Sequence, residues 1–139
     1  NLRYFAARFV RDLLTIDEQM RFNLPASYEF TRGAAVAQWR QFVQQVDQPQ
    51  ARLSKDPSLR RQIEFEGAPQ LITSSAEART GSFVFFIREI TTAANQAPKV
   101  RRVRVTLDYM VSPPQDLNQV LKNPIGFFVT NIRYEPLDR

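Results

Sequence analysis

Asn123-Pro124-Ile125-Gly126-Phe127-Phe128-Val129-Thr130-Asn131-Ile132-Arg133-Tyr134 joins a turn signal directly to a strand signal near the end of this 139-residue chain. Pro124 fixes its own φ and pushes Asn123 out of the helical region, while Gly126 is free to take the positive φ that other residues avoid. No helix runs through such a segment. From Phe127 onward the residues suit a pleated surface. Strict alternation places Phe128, Thr130, Ile132 and Tyr134 on one face and Val129, Asn131 and Arg133 on the other, so one face reads as core. Phe127 and Phe128 are adjacent and therefore diverge. Only one of them enters the core of its own domain, which leaves its neighbour for a second layer or a partner.

Upstream of the turn, 71–78, 82–92 and 100–111 read as three further strands, joined by Arg79-Thr80-Gly81 and by a polar loop over 93–99. Val103, Val105, Leu107, Tyr109 and Val111 alternate almost without fault, with Arg104, Thr106 and Asp108 between the first four. Phe83, Val84, Phe85, Phe86 and Ile87 are apolar on both faces, which predicts a central strand covered on both sides, with helices on one and a partner chain on the other. Between Pro113-Pro114 and the turn, 116–121 has room for one or two helical turns.

The first half of the chain is helical in period. Leu2, Phe5, Phe9, Leu13, Ile16 and Met20 recur at spacings of three and four, predicting a helix over 2–22 that stops or bends at Asn23-Leu24-Pro25. Val36, Trp39, Val43 and Val46 repeat the spacing over 31–45, and Gln48-Pro49 closes that helix. A third, shorter helix is expected over 57–63, with Asp56 as cap and Pro57 in its first turn. The order of helices first and strands after predicts an α+β domain, its helices packed on a curved four-stranded antiparallel sheet.

Composition bounds the function. The length suits one domain over 1–139 with a single core, and 43% hydrophobic with 24% charged residues is ordinary globular usage. No cysteine or histidine is present, which excludes disulfides, thiolate nucleophiles, zinc-cysteine sites and the commonest general base. No cofactor or metal is expected. No run of about 18 apolar residues spans a membrane. The 19 basic against 14 acidic residues give +5, but the arginines are dispersed from Arg3 to Arg139, which reads as a solvated surface.

Read as N-P-[aliphatic]-G-F followed by V-T and a final strand, the opening stretch resembles a motif of the periplasmic domains of the eighth VirB component of type IV secretion systems. Ile125 stands where that family commonly has leucine, and Ile132 where it often has tyrosine before the arginine. The resemblance implies a fold like nuclear transport factor two. It also implies a non-enzymatic scaffold of a secretion or conjugation channel that self-associates and contacts other channel subunits. A domain on the periplasmic side of the bacterial inner membrane is implied too, with a transmembrane anchor preceding a chain that opens on Asn-Leu-Arg-Tyr. Together with the divergence of the two phenylalanines, it points to a partner surface comprising Asn123, Pro124, Ile125, Gly126, Phe127 and Arg133, or to the exposed side of the first helix.

Other constellations have plainer readings. Lys99-Val100-Arg101-Arg102-Val103-Arg104 could form a platform for single-stranded nucleic acid, but Arg102 and Arg104 share a strand face where RNA-recognition motifs place aromatics, so nucleic acid is not expected. Glu64 and Glu66 share a face if extended, and Asp108 with Tyr109 and Tyr134 could line a pocket of the kind used by isomerases and dehydratases of the wider fold. A small-ligand pocket protein or such an enzyme is the alternative reading. Trp39 and the phenylalanines read as core.

Overall fold

The structure, a computed structural model, describes residues 1–137. Five helices and five strands follow in the order α1 Leu2–Leu14, α2 Met20–Tyr28, α3 Ala34–Gln41, α4 Pro49–Lys55, β1 Arg60–Phe65, β2 Gln70–Ser75, β3 Thr80–Thr92, β4 Lys99–Val111, α5 Leu117–Lys122 and β5 Phe127–Pro136. The α+β arrangement is the one expected, with one strand more.

The predicted helix over 2–22 is two helices. Asn1 caps α1, its Oδ1 accepting from the Arg3 amide at 2.9 Å, and Ala6, Phe9, Val10, Leu13 and Leu14 face the core. The chain turns extended at Thr15 because Ile16 pairs with Arg61 of β1 through two backbone bonds of 3.1 and 3.0 Å. Ile16 and Met20 are buried as their spacing demanded, on different elements. α2 then runs through Pro25. Pro25 and Arg21, whose carbonyl loses its intrahelical donor, both lie on the solvent side, where water replaces the bond.

α3 continues into a π-helical turn over Phe42–Asp47, closed by Gln48 N–H donating to the Val43 carbonyl at 3.1 Å. The wider turn brings Asp47 inward and leaves Val46 65% exposed, although its spacing had placed it in the apolar stripe. No helix forms over 57–63. α4 precedes that segment, Asp56 caps only a tight turn by accepting from the Ser58 amide at 3.1 Å, and Arg60–Phe65 pairs antiparallel with Thr92–Ile87 of β3. Long-range pairing overrides the local helix signal there.

The sheet is antiparallel in the order β1-β3-β4-β5, and β2 pairs with the other half of the β3 edge. Phe83, Phe85 and Ile87 of β3 and Val103, Val105, Leu107 and Tyr109 of β4 form the covered face under the helices. The opposite face of β3, with Val84, Phe86 and Arg88, is half-buried, so among the described residues the helices cover one side of the strand and leave the other partly open.

β5 departs from simple alternation. Its pairing with β4 shifts between Tyr109↔Val129 and Asp108↔Asn131, leaving Thr130 as an extra residue. This bulge reverses the parity of the strand. Phe127 and Val129 point to the core before it and Ile132 and Tyr134 after it, whereas alternation had grouped Phe128 with Ile132 and Tyr134. The outer edge of β5 is occupied: Val129 exchanges backbone bonds with Phe30 and Arg32, and the Gln38 side chain accepts from the Ile132 amide and donates to Asn131.

An aromatic row crosses the core. Phe83 stacks on Tyr109 with ring centres 5.2 Å apart, Tyr109 on Phe127 at 5.6 Å, and Phe127 on Phe5 of α1 at 6.4 Å. Offset pairs of this kind contribute about 0.5–1.5 kcal/mol each beyond their burial. They fix the start of α1 against the residue that follows the turn.

Candidate functional site

Asn123 organises the turn before β5. Its Oδ1 accepts from the amides of Gly126 at 3.1 Å and Phe127 at 2.9 Å, and its Nδ2 donates to the Phe127 carbonyl at 2.7 Å. The amide side chain carries its acceptor and its donor on separate atoms, so one residue serves two amides and a carbonyl at a position 7% exposed. Gly126 has φ +76°, and a Cβ there would run into the Ser112 carbonyl. That carbonyl belongs to the residue whose amide donates to the Gly126 carbonyl at 2.8 Å, so the turn is pinned against the end of β4.

The predicted partner residues divide. Pro124 is exposed and Ile125 half-buried at the surface of the turn, while Asn123 and Gly126 are buried and hold its shape. Phe127 is 0% exposed and belongs to the core, which corrects its assignment to a partner surface. Arg133 is exposed, but it lies further along β5 level with Thr106, and the structure does not bring it to the turn. Phe128 takes the outward position, with the Arg32 guanidinium 3.9 Å from its ring centre beside a shallow cleft of about 210 Å³ that also borders Asn123 and Gly126.

The sequence reading missed α5 as a surface. Asp116 caps it by accepting from the Gln119 amide at 2.9 Å, and none of its residues is buried. Leu117 is 71% and Leu121 73% exposed, with Val120 beside them, immediately before the turn. An amphipathic pattern in so short a helix is legible in sequence, but which way its apolar side points is not.

A second feature is a groove of about 840 Å³ where the core opens between β1, β3, β4, β5 and the π-helical turn. Arg61 lies at its base, 4% exposed in the side chain, donating from both terminal nitrogens to Asp47 at 2.8 and 2.6 Å. Burial alone would lower the Arg61 guanidinium, yet the hydrogen bond and charge of Asp47, helped by Glu89, hold it above its ordinary value. Glu89 is 3% exposed and accepts from Tyr134 Oη at 2.8 Å. Burial, then the charge of Glu89, raises the Tyr134 hydroxyl above its ordinary value, so it stays a proton donor. The sequence reading took no acid to lie on an apolar strand face and so missed Glu89, although alternation along β3 puts it on the same face as Phe83, Phe85 and Ile87.

The predicted chemical constellations do not assemble. Asp108 lies on the outer sheet face, accepting from Ser82 Oγ, while Tyr109 points into the core. Glu64 pairs with Arg88 at 2.9 Å and Glu66 with Arg102 at 3.0 Å, each on the exposed outer face. Arg104 pairs with Glu135 at 3.0 Å there, so two arginines of the basic run meet carboxylates. Among the described residues no three Asp, Glu, His or Cys side chains gather to hold a metal ion, and no helix is long and apolar enough to cross a membrane.

The family model described as VirB8 protein matches residues 2–136. No curated protein matches the chain significantly. Among solved structures, the soluble domain of TrwG of the type IV secretion machinery from Bartonella grahamii superposes with a TM-score of 0.78 at 16% identity, covering 99% of this chain and 94% of that one. VirB8 from Agrobacterium tumefaciens gives 0.74 at 16% identity, covering 96% and 89%. CagV, a VirB8 homolog from Helicobacter pylori strain 26695, gives 0.72 at 15% identity, covering 98% and 97%. At these identities the likeness is one of fold.

Proposed function

This chain belongs to the VirB8 protein family, and on that premise we propose that it is a non-enzymatic assembly module of a type IV secretion or conjugative transfer channel. It acts through self-association and through contacts with other channel subunits. It sits on the periplasmic side of the inner membrane, held there by an anchor of the longer protein. The observation that carries this reading is the exposed apolar side of α5, Leu117, Val120 and Leu121, leading into a rigid turn that presents Pro124 and Ile125. Tyr4 on α1 is 59% exposed, edge-on to Phe5, whose ring stacks on Phe127. Apolar side chains clustered on a rigid support are what an interface core needs. Tethering to a membrane raises effective concentration, so a weak contact in solution suffices.

Sedimentation of the isolated domain over a concentration series tests this. The expected outcome is a reversible dimer that Leu121→Glu weakens about tenfold or more with an unchanged melting temperature. A strictly monomeric domain at millimolar concentration, or a dimer indifferent to charge at Leu117 and Leu121, would overturn the assignment of this surface.

A further inference from the structure

The groove at the open end of the core is independent of the α5 surface, and Glu89 and Arg101, two charges in it that form no direct ion pair among the described residues, are complementary. Glu89 Oε2 accepts from Tyr134, while Oε1 accepts from no described residue. No fully buried side-chain polar atom among the described residues lacks a partner, so Oε1 is open to the groove that Glu89 lines. Arg101 is the direct cross-strand partner of Glu89 in the β3–β4 register, lies on the same face, lines the same groove and is exposed. No ion pair within 4.0 Å joins the two. The other buried charges are engaged: Asp47 holds both Arg61 and Arg52.

We propose that this groove binds a small zwitterion with an apolar side chain, its ammonium on Glu89 Oε1, its carboxylate on Arg101, and its side chain against Phe42, Val46 and Leu59. A simple anion would face the Glu89 carboxylate, and a simple cation would pass the basic rim of Lys99 and Arg101. A molecule carrying both charges satisfies each. The volume is within the range of about 300–1,000 Å³ typical of small-molecule sites.

Titration of the isotope-labelled domain with L-phenylalanine, followed by amide chemical shifts, tests the proposal, with N-acetyl-L-phenylalanine and L-phenylalanine amide as probes lacking one charge each. Expected are shifts confined to residues lining the groove, a dissociation constant of about 1 mM as suits a solvent-open site, and a loss of about tenfold for either blocked probe. Glu89→Gln retains an acceptor for Tyr134 and is expected to fold, with affinity for L-phenylalanine reduced about tenfold. If that variant does not fold, the three probes on the unaltered protein decide alone. No response to L-phenylalanine or L-leucine, shifts outside the groove, or equal binding of the N-acetyl probe would overturn the proposal. None of these results bears on the α5 surface.

Discussion

Arg61 and Asp47 meet as a two-pronged ion pair, 2.8 and 2.6 Å, between β1 and the π-helical turn, with side chains only 4% and 7% exposed. Arg61 Nε also donates to the Leu14 carbonyl at the end of α1, so one side chain ties three elements together. Removing one partner leaves a charge buried without compensation. Asp47→Ala is expected to destabilise the domain by about 3–5 kcal/mol, and Arg61→Met with Asp47→Leu to recover most of that loss. Urea unfolding of the single and double variants measures it. Equal losses in single and double variants would show that the pair is not the source.

The turn gives a sharper expectation than its sequence alone allowed. Gly126→Ala meets both a positive φ and the Ser112 carbonyl, and should lower stability by about 2–4 kcal/mol. Asn123→Ala strips the amides of Gly126 and Phe127 and the Phe127 carbonyl of their partners, and should lower stability by about 2 kcal/mol or more. Thermal unfolding tests both. Asn123→Asp, which keeps the acceptor and loses the donor, should fall between Asn123→Ala and the unaltered protein.

Tyr134 links the groove to pH. Its folded-state value is raised above the ordinary 10.0, so the contribution of the neutral hydroxyl is fully present below pH 10 and is lost as pH rises through the folded value. Tyr134→Phe should cost about 1.5–3 kcal/mol at neutral pH by removing the donor to Glu89. The gap between variant and unaltered protein should narrow above pH 10, because only the unaltered protein has a tyrosine here to ionise on unfolding. A gap constant from pH 8 to 11 would contradict this coupling.

On the outer sheet face, Arg102 and Arg104 are paired with Glu66 and Glu135 among exposed neighbours. Replacing both by glutamine should leave the melting temperature nearly unchanged, since exposed pairs are weakened by water and salt. Micromolar, salt-sensitive binding of single-stranded nucleic acid by the unaltered protein, lost in the double variant, would overturn the expectation that this strand does not bind nucleic acid.

What could be read from sequence was whatever local chemistry governs. Pro124 and Gly126 forced a turn with positive φ, Leu2 to Leu13 wrote the stripe of α1, and Val103 to Tyr109 wrote the covered face of β4. The α+β class and the family resemblance followed from that order. Tertiary structure decided the remainder because the deciding contacts join residues far apart in the chain. Ile16 leaves the helix to pair with Arg61, the 57–63 segment becomes strand against β3, and the bulge at Thr130 reverses the faces of β5. That reversal put Phe127 in the core and Phe128 outside, and so moved the candidate surface to α5. Alternation along β3 places Glu89 on an apolar strand face, a signal the sequence reading passed over, and its meeting with Tyr134 and Arg101 exists only once three strands lie side by side.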